Sequence, residues 1–343
     1  MTNSIPGQAG HLLDADTPGT VRMTPGEAHA LGMQALRRIG YSNEDAQIIT
    51  DQLIDNALCG YRFTSLPRIL AIASDPKTRE PRQLVKVVHE TPVSALMDGG
   101  NNVGYVAVYH CTQLAIKKAQ QSGIASAGVY NSYYSGRNAY YVEMIAKAGL
   151  VGIHIASARP HVLPIGGIRP ALGTNPLCIG FPSANGPVVY DIGTASLMWG
   201  EVLLHAHLGQ EIPEGIGFDA QGNPTREAKA VLEGGVVPFA GYKGYGLSFA
   251  IQALGLLAGA ALANGKVQDY GFLFFVLDPK LMLPGGEFPA QMAELVAKIK
   301  ATPRRAGVDE IRIPSERAYR ERERRRTEGL VFDRKVVESL RAL

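Results

Sequence analysis

An acidic residue inside an apolar strand pattern needs a chemical explanation. Residues 177–181 are apolar, a Pro-Ser-Ala-Asn-Gly turn follows, and the β-branched run 188–192 contains Asp191. This pattern predicts a β-hairpin. Because burying a carboxylate without a partner is costly, Asp191 is either a paired structural acid or part of a site. Three further glycine-flanked polar stretches, residues 61–68, 130–136 and 241–246, favour a site.

The stretch GYKGYG at residues 241–246 has the composition of an anion-binding turn. It precedes a long apolar helix pattern, so backbone N–H groups at the helix start, together with Lys243, can hold an anion such as a cofactor phosphate. A close-packed turn with a solvent-exposed lysine is an equally good interpretation. The spacing does not match a P-loop, and no GxGxxG motif follows a strand pattern, which disfavours a Rossmann domain.

The histidines give weaker signals. The chain has eight, and they form no HExxH motif; His205 and His207 flank one residue but lack a third ligand, so we predict no metal site. His161 lies in a proline- and glycine-rich loop beside Arg159 and is the single histidine best suited to a site. Histidines in such loops are, however, more often surface residues.

The composition predicts a globular cytoplasmic protein that binds neither nucleic acid nor membrane. Of the 343 residues 46% are hydrophobic, enough for a substantial core, and the net charge is only +3. Basic residues cluster at 304–305 and 317–326, but glutamates interrupt them, unlike a nucleic-acid surface. The three cysteines form no disulfide or metal pattern. The N-terminus lacks a secretory signal, and the longest apolar run, 247–263, is shorter than the ~20 residues that span a bilayer.

The elements that must position these residues change in character along the chain. Residues 1–22 predict a flexible arm, and helices follow: one begins at Pro25 with Thr24 and Glu27 as a capping box, and the next covers about 43–59. From residue 85, strands at 85–89, 94–98, 126–130, 151–156 and 272–277 alternate with helices at 105–122 and 138–148, and a GGNNVG turn follows the second strand. This mixture predicts an α+β fold rather than a doubly wound sheet.

Motifs spread over almost the whole chain resemble one family. In chain order, GYRFTSLPR, DGGNNVGYVA, YNSYYSG, GGIRPALGTNP, VVYDIGTAS, GYKGYGL and IPSER are similar to the type-2 malate/L-lactate dehydrogenases, over about residues 24–343. The resemblance implies a non-Rossmann nucleotide-binding α+β fold with a mixed sheet, and a homodimer with its sites near the interface. It also implies a helical domain formed by both chain ends, residues 23–84 plus 305–343, and an α+β cofactor-binding domain, residues 85–304.

The resemblance further implies an oxidoreductase that uses NADPH or NADH on a small-molecule substrate. The substrate carboxylate would bind Arg68. The cofactor would lie against residues 187–193 around the strand acid, and against two further segments. The implied cofactor-binding residues are Asp191, Tyr242, Lys243, Ser315, Glu316 and Arg317.

Both histidines of the family pattern are replaced in this chain. Thr64 stands where the family has the histidine of its SHG turn, and Tyr134 stands at the second histidine, in the NSxHxG loop. Hydride transfer to a ketone leaves an alkoxide, and a general acid contributes about 10²–10⁴-fold to the rate. Thr64 can only position a water. Tyr134 could donate a proton if Lys243 or Arg137 lowered its pKa, and His161 could donate if its loop folded over the site.

Three hypotheses follow. The first is an NAD(P)H-dependent reductase of a small carboxylate-bearing imine or 2-oxo acid with non-histidine proton donation; a C=N acceptor is favoured, because an iminium nitrogen already carries its proton. The second is a catalytically silent nucleotide-binding protein. The third is a reductase rebuilt for a larger apolar or aromatic substrate, because bulky residues stand near the replaced histidines: Phe63, Leu66, Tyr133 and Tyr134.

Overall fold

The opening part of the chain is helical, as predicted. The computed structural model describes residues 16–267 and 270–343, except the side chains of residues 204, 207 and 208. Helix α1 spans Pro25–Arg38, and its predicted capping box is confirmed, with Thr24 Oγ1 accepting from Glu27 N at 3.2 Å and Glu27 Oε2 accepting from Thr24 N at 2.7 Å. Helices α2 (Asn43–Leu58), α3 (Arg68–Ser74) and α4 (Pro76–Arg79) follow.

The two ends of the chain meet in a small sheet. Strand β1 (Thr20–Met23) pairs antiparallel with β11 (Leu330–Asp333), which lies between α11 (Glu316–Glu328) and α12 (Arg334–Ala342). Residues 20–22 were predicted to belong to a flexible arm, and this is corrected: the four-residue strand has its hydrogen-bond partner more than 300 residues away, which no local pattern reveals. Residues 1–15 of that predicted arm lie outside the described residues.

A seven-stranded mixed sheet forms the centre of the molecule. Its strand order is β2-β3-β4-β10-β5-β6-β7, in which β3 and β4 run parallel and the other neighbours antiparallel. The parallel pair is joined by helix α5 (Gly104–Ser122), the crossover that parallel strands require. The strands are β2 (Lys86–Thr91), β3 (Ser94–Val103), β4 (Ile124–Tyr133), β5 (Val151–Ala156), β6 (Leu177–Phe181), β7 (Val188–Ile192) and β10 (Phe272–Leu277).

Helices cover both faces of this sheet. Phe272 and Phe274 of β10 pack in one cluster with residues of α5 and α6 (Asn138–Lys147), whereas Leu273 packs with Ile251 of α9 (Tyr242–Leu257). Successive strand residues point to opposite faces, so the two clusters lie on opposite sides of the sheet. The predicted α+β fold with a mixed sheet is therefore confirmed. No helix among the described residues is long and apolar enough to cross a membrane.

The predicted turn at residues 99–104 is wrong. Strand β3 continues through this stretch to Val103, with a shift of register against β4 between Asp98 and Asn102. Gly100 and Asn101 adopt positive φ, and a Cβ on Gly100 would collide with the carbonyl of Gln83. The glycines therefore form a bulge that another backbone segment approaches closely, rather than a turn.

The segment between the hairpin and α9 contains several short helices and strands. This group packs around its own cluster, which includes Val202, Val231 and Val236. The elements of this group are α7 (Trp199–Leu208), β8 (Gly217–Phe218), α8 (Ala228–Glu233) and β9 (Gly235–Val236); the helix after β10 is α10 (Phe288–Lys300).

Candidate active site

The turn between α2 and α3 brings an arginine between two aromatic rings. The Arg68 guanidinium carbon lies 4.2 Å from the ring centroid of Phe63 and 5.4 Å from that of Tyr134, distances at which a cation is attracted to a ring face. Thr64 follows Phe63 in the same turn, and its carbonyl accepts from Asn56 Nδ2 at 2.9 Å, which fixes the turn to α2. The structure therefore brings together three predicted site residues, Thr64, Arg68 and Tyr134.

Several polar atoms at this turn are buried: Thr64 Oγ1, Arg68 Nε and the Tyr105 hydroxyl. Among the described residues, Thr64 Oγ1 has no hydrogen-bond partner, whereas Arg68 and the Tyr105 hydroxyl interact with each other. Burial raises the pKa of the Tyr105 hydroxyl, and the nearby Arg68 charge offsets part of this rise. Buried polar groups almost always have a hydrogen-bond partner, so the Thr64 hydroxyl is available to a water or a ligand at this turn. Sequence reasoning missed Tyr105, because an aromatic residue at a helix start is usually part of the core.

Tyr134 has a strained backbone and a phenol that stays protonated. Its φ is +51°, a conformation that costs a non-glycine residue on the order of 1 kcal/mol and is common at functional sites. Burial is the main cause that raises the pKa of Tyr134, and Asp75 adds to it; Arg68 and Arg159 act in the opposite direction. Donation by Tyr134 depended on a pKa lowered by Lys243 or Arg137; the pKa of Tyr134 is raised instead, and the cations that act on the phenol are Arg68 and Arg159.

His161 lies at the edge of the same site. Its imidazole stacks on the indole of Trp199, with ring centroids 4.0 Å apart. Burial, assisted by Arg159, lowers the pKa of His161 to about 4, so the ring is neutral near pH 7. Trp199 begins α7, and the next residue, Gly200, packs so closely on the ring of Phe63 that a Cβ there would collide with it. The first turn of α7 thus joins the His161 loop to the turn that holds Arg68.

The predicted hairpin is confirmed, with Asp191 in its second strand. The Oδ2 atom of Asp191 accepts from the backbone N–H of Ala139 at 2.8 Å, in the first turn of α6. The residue keeps exposed surface, but its carboxyl group is desolvated, and this burial raises the pKa of Asp191 more than the bond to Ala139 and the charge of Arg137 lower it. Asp191 is therefore a paired acid whose carboxylate stabilises a helix N-terminus.

Asp191 also lines a cavity of about 280 Å³ that contains two more of the predicted cofactor residues. Ser315 and Arg317 lie at the start of α11, and Ser315, with φ of +64°, donates from Oγ to the carbonyl of Val189 at 2.7 Å. Rings and further positive charge are supplied by other lining residues, Tyr61, Tyr190 and Arg312. The cavity thus combines aromatic faces, guanidinium groups and hydroxyls.

The other predicted cofactor residues lie elsewhere. The carboxylate of Glu316 binds Arg320 at 2.8 Å and also binds Lys300, so it stabilises the start of α11 instead of lining the cavity. Tyr242 and Lys243 form the first turn of α9, and both are exposed, Tyr242 by 73%. Neither residue is among those that line the cavity.

A buried ionic network supports the wall of this cavity. Asp55 of α2 binds Arg137, which precedes α6, and lies 2.9 Å from Arg322 of α11. Arg322 also binds Glu143 of α6 at 2.6 Å. The ring of Tyr61 lies over Arg137, at 5.5 Å, and also contacts Arg317. Sequence reasoning missed this network, which joins three helices. In the part of the chain that the structure describes, no group of three or more His, Cys, Asp or Glu is placed to hold a metal ion.

Comparison with known proteins gives a consistent result. A family model described as malate/L-lactate dehydrogenase matches residues 23–341. The chain is 32% identical to L-sulfolactate dehydrogenase of Methanothermobacter thermautotrophicus, covering 93% of this chain and 95% of that protein. It is 31% identical to delta(1)-pyrroline-2-carboxylate reductase of Pseudomonas fluorescens, covering 92% and 97%.

A solved structure matches the fold over nearly the full length. Malate dehydrogenase of Pyrococcus horikoshii aligns with a TM-score of 0.84 and 27% identity, covering 97% of each chain. Sulfolactate dehydrogenase of Methanocaldococcus jannaschii aligns with a TM-score of 0.81 and 30% identity, covering 94% of this chain and 96% of that one. The chain therefore belongs to the malate/L-lactate dehydrogenase family and is an oxidoreductase that uses a nicotinamide cofactor.

Proposed function

We propose that this chain is an NAD(P)H-dependent reductase of a small carboxylate-bearing imine or 2-oxo acid, with a proton donor other than histidine. The observation that carries the proposal is the position of Arg68, held between Phe63 and Tyr134 next to Thr64. A cation suited to a carboxylate is present, while the two positions that the family resemblance assigns to histidine carry hydroxyl groups.

The chemistry of the two acceptors favours the imine. A ketone needs a proton as hydride arrives, whereas an iminium ion is already protonated and becomes a neutral amine. Tyr134 has a raised pKa, so its hydroxyl can donate a hydrogen bond but gains little as an acid near neutrality. His161, with a pKa of about 4, is neutral there. The similarity to a pyrroline-carboxylate reductase agrees with this preference.

The cavity beside the hairpin suits one part of a dinucleotide. When bound, the nicotinamide cofactor supplies the hydride. Tyr61 and Tyr190 offer ring faces, and Arg312 and Arg317 offer positive charge to phosphate groups. Asp191 and Ser315 add hydrogen-bonding groups at the same wall. These donor and acceptor types fit NADH and NADPH alike, so we assign the cavity to the cofactor without choosing between them.

A homodimer would cover the exposed face of α9, which we define as Tyr242, Phe249, Leu256 and Leu257. These side chains are 43–73% exposed, while the opposite side of the helix, including Ile251, is buried against the sheet. From residue 244 to 257 the helix carries no charge. A helix that is apolar on all sides is normally buried, and a second copy is the partner that the family resemblance implies. Such a dimer would also bring Tyr242 and Lys243 into an interface.

The proposal is tested by measuring NADPH and NADH oxidation over a panel of 2-oxo acids and cyclic imines that carry a carboxylate. We expect turnover, faster with imines, and we expect Arg68→Gln to abolish most of it. Arg62→Gln is the matched control, because Arg62 lies in the same turn but binds Asp333 at 2.6 Å. Nucleotide binding without turnover of any compound would select the catalytically silent alternative instead.

The alternative of a pocket rebuilt for a larger apolar substrate gains little support. Leu66 is fully buried in the helical core, and the Tyr133 hydroxyl lies 2.9 Å from Thr78 Oγ1, so neither residue adds apolar surface to the site. Phe63 and Tyr134 instead hold the Arg68 guanidinium in place. Both rings therefore contact a cation that is suited to a carboxylate, rather than forming a free apolar surface.

A further inference from the structure

A buried acid lies at the opposite end of the helix that begins with Arg68. Helix α3 ends at Ser74, and the next residue, Asp75, caps α4, where its Oδ1 accepts from Lys77 N at 2.9 Å. Asp75 is only 7% exposed, and among the residues that the structure describes its carboxylate forms no salt bridge. A carboxylate this deeply buried is normally paired with a cation, so Asp75 is suited to a cationic partner from outside the chain.

The junction of α3 and α4 packs on the tyrosines at the end of β4. Thr78 N donates to the carbonyl of Asp75 at 3.0 Å, and Thr78 Oγ1 lies 2.9 Å from the Tyr133 hydroxyl. The rings of Tyr133 and Tyr134 meet edge to face, with centroids 5.5 Å apart. Asp75 therefore belongs to the same cluster as Tyr134, whose ring also contacts Arg68.

The Tyr134 hydroxyl is hydrogen-bonded to the Asp75 carboxylate. The phenol is the donor, because an ionised carboxylate can only accept and the pKa of the phenol is raised. Arg68 and Arg159 act on this pKa in the opposite direction, but each has a smaller effect than Asp75. The Tyr134 oxygen therefore keeps only lone pairs for a substrate, with a negative charge behind it.

We propose that the pair of Asp75 and Tyr134 binds the protonated nitrogen of an imine, with Tyr134 Oη accepting from its N–H and Asp75 supplying the opposite charge. Arg68 binds the carboxylate on the adjacent carbon. This inference rests on the proposed reductase function, and it identifies Asp75 as a positioning residue that acts through Tyr134. The hydride adds to the carbon, the C=N bond becomes a C–N bond, and the nitrogen keeps the proton that it brought.

The same pair disfavours a carbonyl oxygen. A ketone oxygen has no hydrogen to donate to Tyr134, and it becomes negative as the hydride arrives, close to the charge of Asp75. An iminium nitrogen is both a donor and a cation. One charge-assisted hydrogen bond of this kind changes affinity by about 10- to 100-fold. The pair thus discriminates between a nitrogen and an oxygen at the reacting carbon.

The experiment uses two saturated ring carboxylates that differ in one ring atom, piperidine-2-carboxylate with an NH2+ group and tetrahydropyran-2-carboxylate with an oxygen. Calorimetry measures the Kd of each on the protein loaded with its reduced cofactor, with which neither compound reacts. We expect the amine to bind about 10- to 100-fold more tightly than the ether. In Asp75→Asn and in Tyr134→Phe we expect the two Kd values to become nearly equal, with that of the ether almost unchanged.

A pH profile adds a readout that a purely structural role of Asp75 would not move. A neighbouring carboxylate stabilises the protonated form of a bound imine and so raises its pKa. In Asp75→Asn this pKa is lower, so the alkaline limb of the kcat profile, which reports the enzyme–substrate complex, should move to lower pH. The other charged or titratable groups around the phenol are unaltered in this variant: Arg68, Arg159, Tyr133 and Tyr270.

Asp278→Asn is the matched control, and the contrary outcomes separate this inference from the proposed function. Asp278 stands in the same Asp-Pro-Lys sequence as Asp75, and its Oδ1 accepts from Lys280 N at the same 2.9 Å, but it follows the end of β10 that is remote from Tyr270. It should leave both Kd values unchanged. Equal Kd values in the unaltered protein, or an equal rise of both in Asp75→Asn, would overturn the role of Asp75 while leaving the reductase intact. Cofactor binding without binding of either ring, and without turnover of any imine or 2-oxo acid, would overturn the reductase itself.

Discussion

At the scale of single residues, the two positions that the family resemblance assigns to histidine carry hydroxyl groups. Among the residues that the structure describes, the buried Thr64 hydroxyl has no hydrogen-bond partner, and the phenol of Tyr134 has a raised pKa next to Arg68. Neither group titrates near neutrality. Under the proposed function, Arg68 supplies the cation for the substrate carboxylate, and neither hydroxyl is an acid matched to the operating pH, which would limit ketone reduction more than imine reduction.

Restoring an imidazole should change this balance. We expect Thr64→His to raise kcat for 2-oxo acids by about 10²-fold and to change kcat for cyclic imines by less than about 10-fold. The measurement is steady-state kinetics with saturating cofactor on one oxo acid and one imine. Thr64→Asn, which introduces a polar side chain without an acid, is the matched control. A parallel gain on both substrates would show that protonation does not separate them.

At the scale of elements, the hairpin and α6 depend on the same carboxylate. Asp191 closes the first turn of α6 through Ala139 and lines the cavity that we assign to the cofactor. The structural and the functional interpretations of a lone strand acid are therefore not exclusive. The two roles differ in whether they need the negative charge. An uncharged acceptor can cap a helix as well as a carboxylate can.

Two substitutions at Asp191 separate the roles. Asp191→Ala should lower the free energy of unfolding by about 1 kcal/mol, because the N–H of Ala139 loses its acceptor, whereas Asp191→Asn should stay within about 0.5 kcal/mol of the unaltered protein. If the carboxylate also contacts the cofactor, both variants should raise the cofactor Kd by about 10-fold. Urea unfolding and calorimetry give the two quantities. An unchanged Kd in Asp191→Asn would leave the acid with a structural role only.

The same elements show what the sequence can predict. The hairpin strands and the start of α1 follow from local patterns: an apolar run and a β-branched run around an Asn-Gly turn, and a threonine three residues before a glutamate. The bulge in β3 could not be predicted, since its glycines suit a turn equally well until the backbone of Gln83 is seen to approach them.

The site could be predicted only where residues lie close in sequence or match a family motif. Thr64 and Arg68 share one turn, and the resemblance connected them with Tyr134. Asp55, Arg137 and Arg322 were missed, because the pairs are 82 and 267 residues apart and a charged residue is expected at the surface. Tyr242 and Lys243 were expected at the cofactor, but the orientation of α9 turns them outward in a single chain.

At the scale of the whole molecule, the exposed face of α9 presents four large apolar or aromatic side chains along one helix. We expect the unaltered protein to be a dimer, and Phe249→Glu with Leu257→Glu to shift it to a monomer, because two charges would be buried without partners. Sedimentation analysis at several concentrations measures this. Leu84→Glu, at a residue that is 89% exposed, should not alter the assembly. A monomer before any substitution would contradict the proposal.

The pairing of β1 with β11 has a consequence for biosynthesis. Strand β11 and helix α12 supply Leu330, Val337 and Leu340 to the core against which α1 and α3 pack, and α3 begins with Arg68. A chain emerging from the ribosome cannot close this region until residues 330–340 have been synthesised. Products that stop before β11 would thus leave the hydrophobic faces of α1 and α3 uncovered for proteases and chaperones.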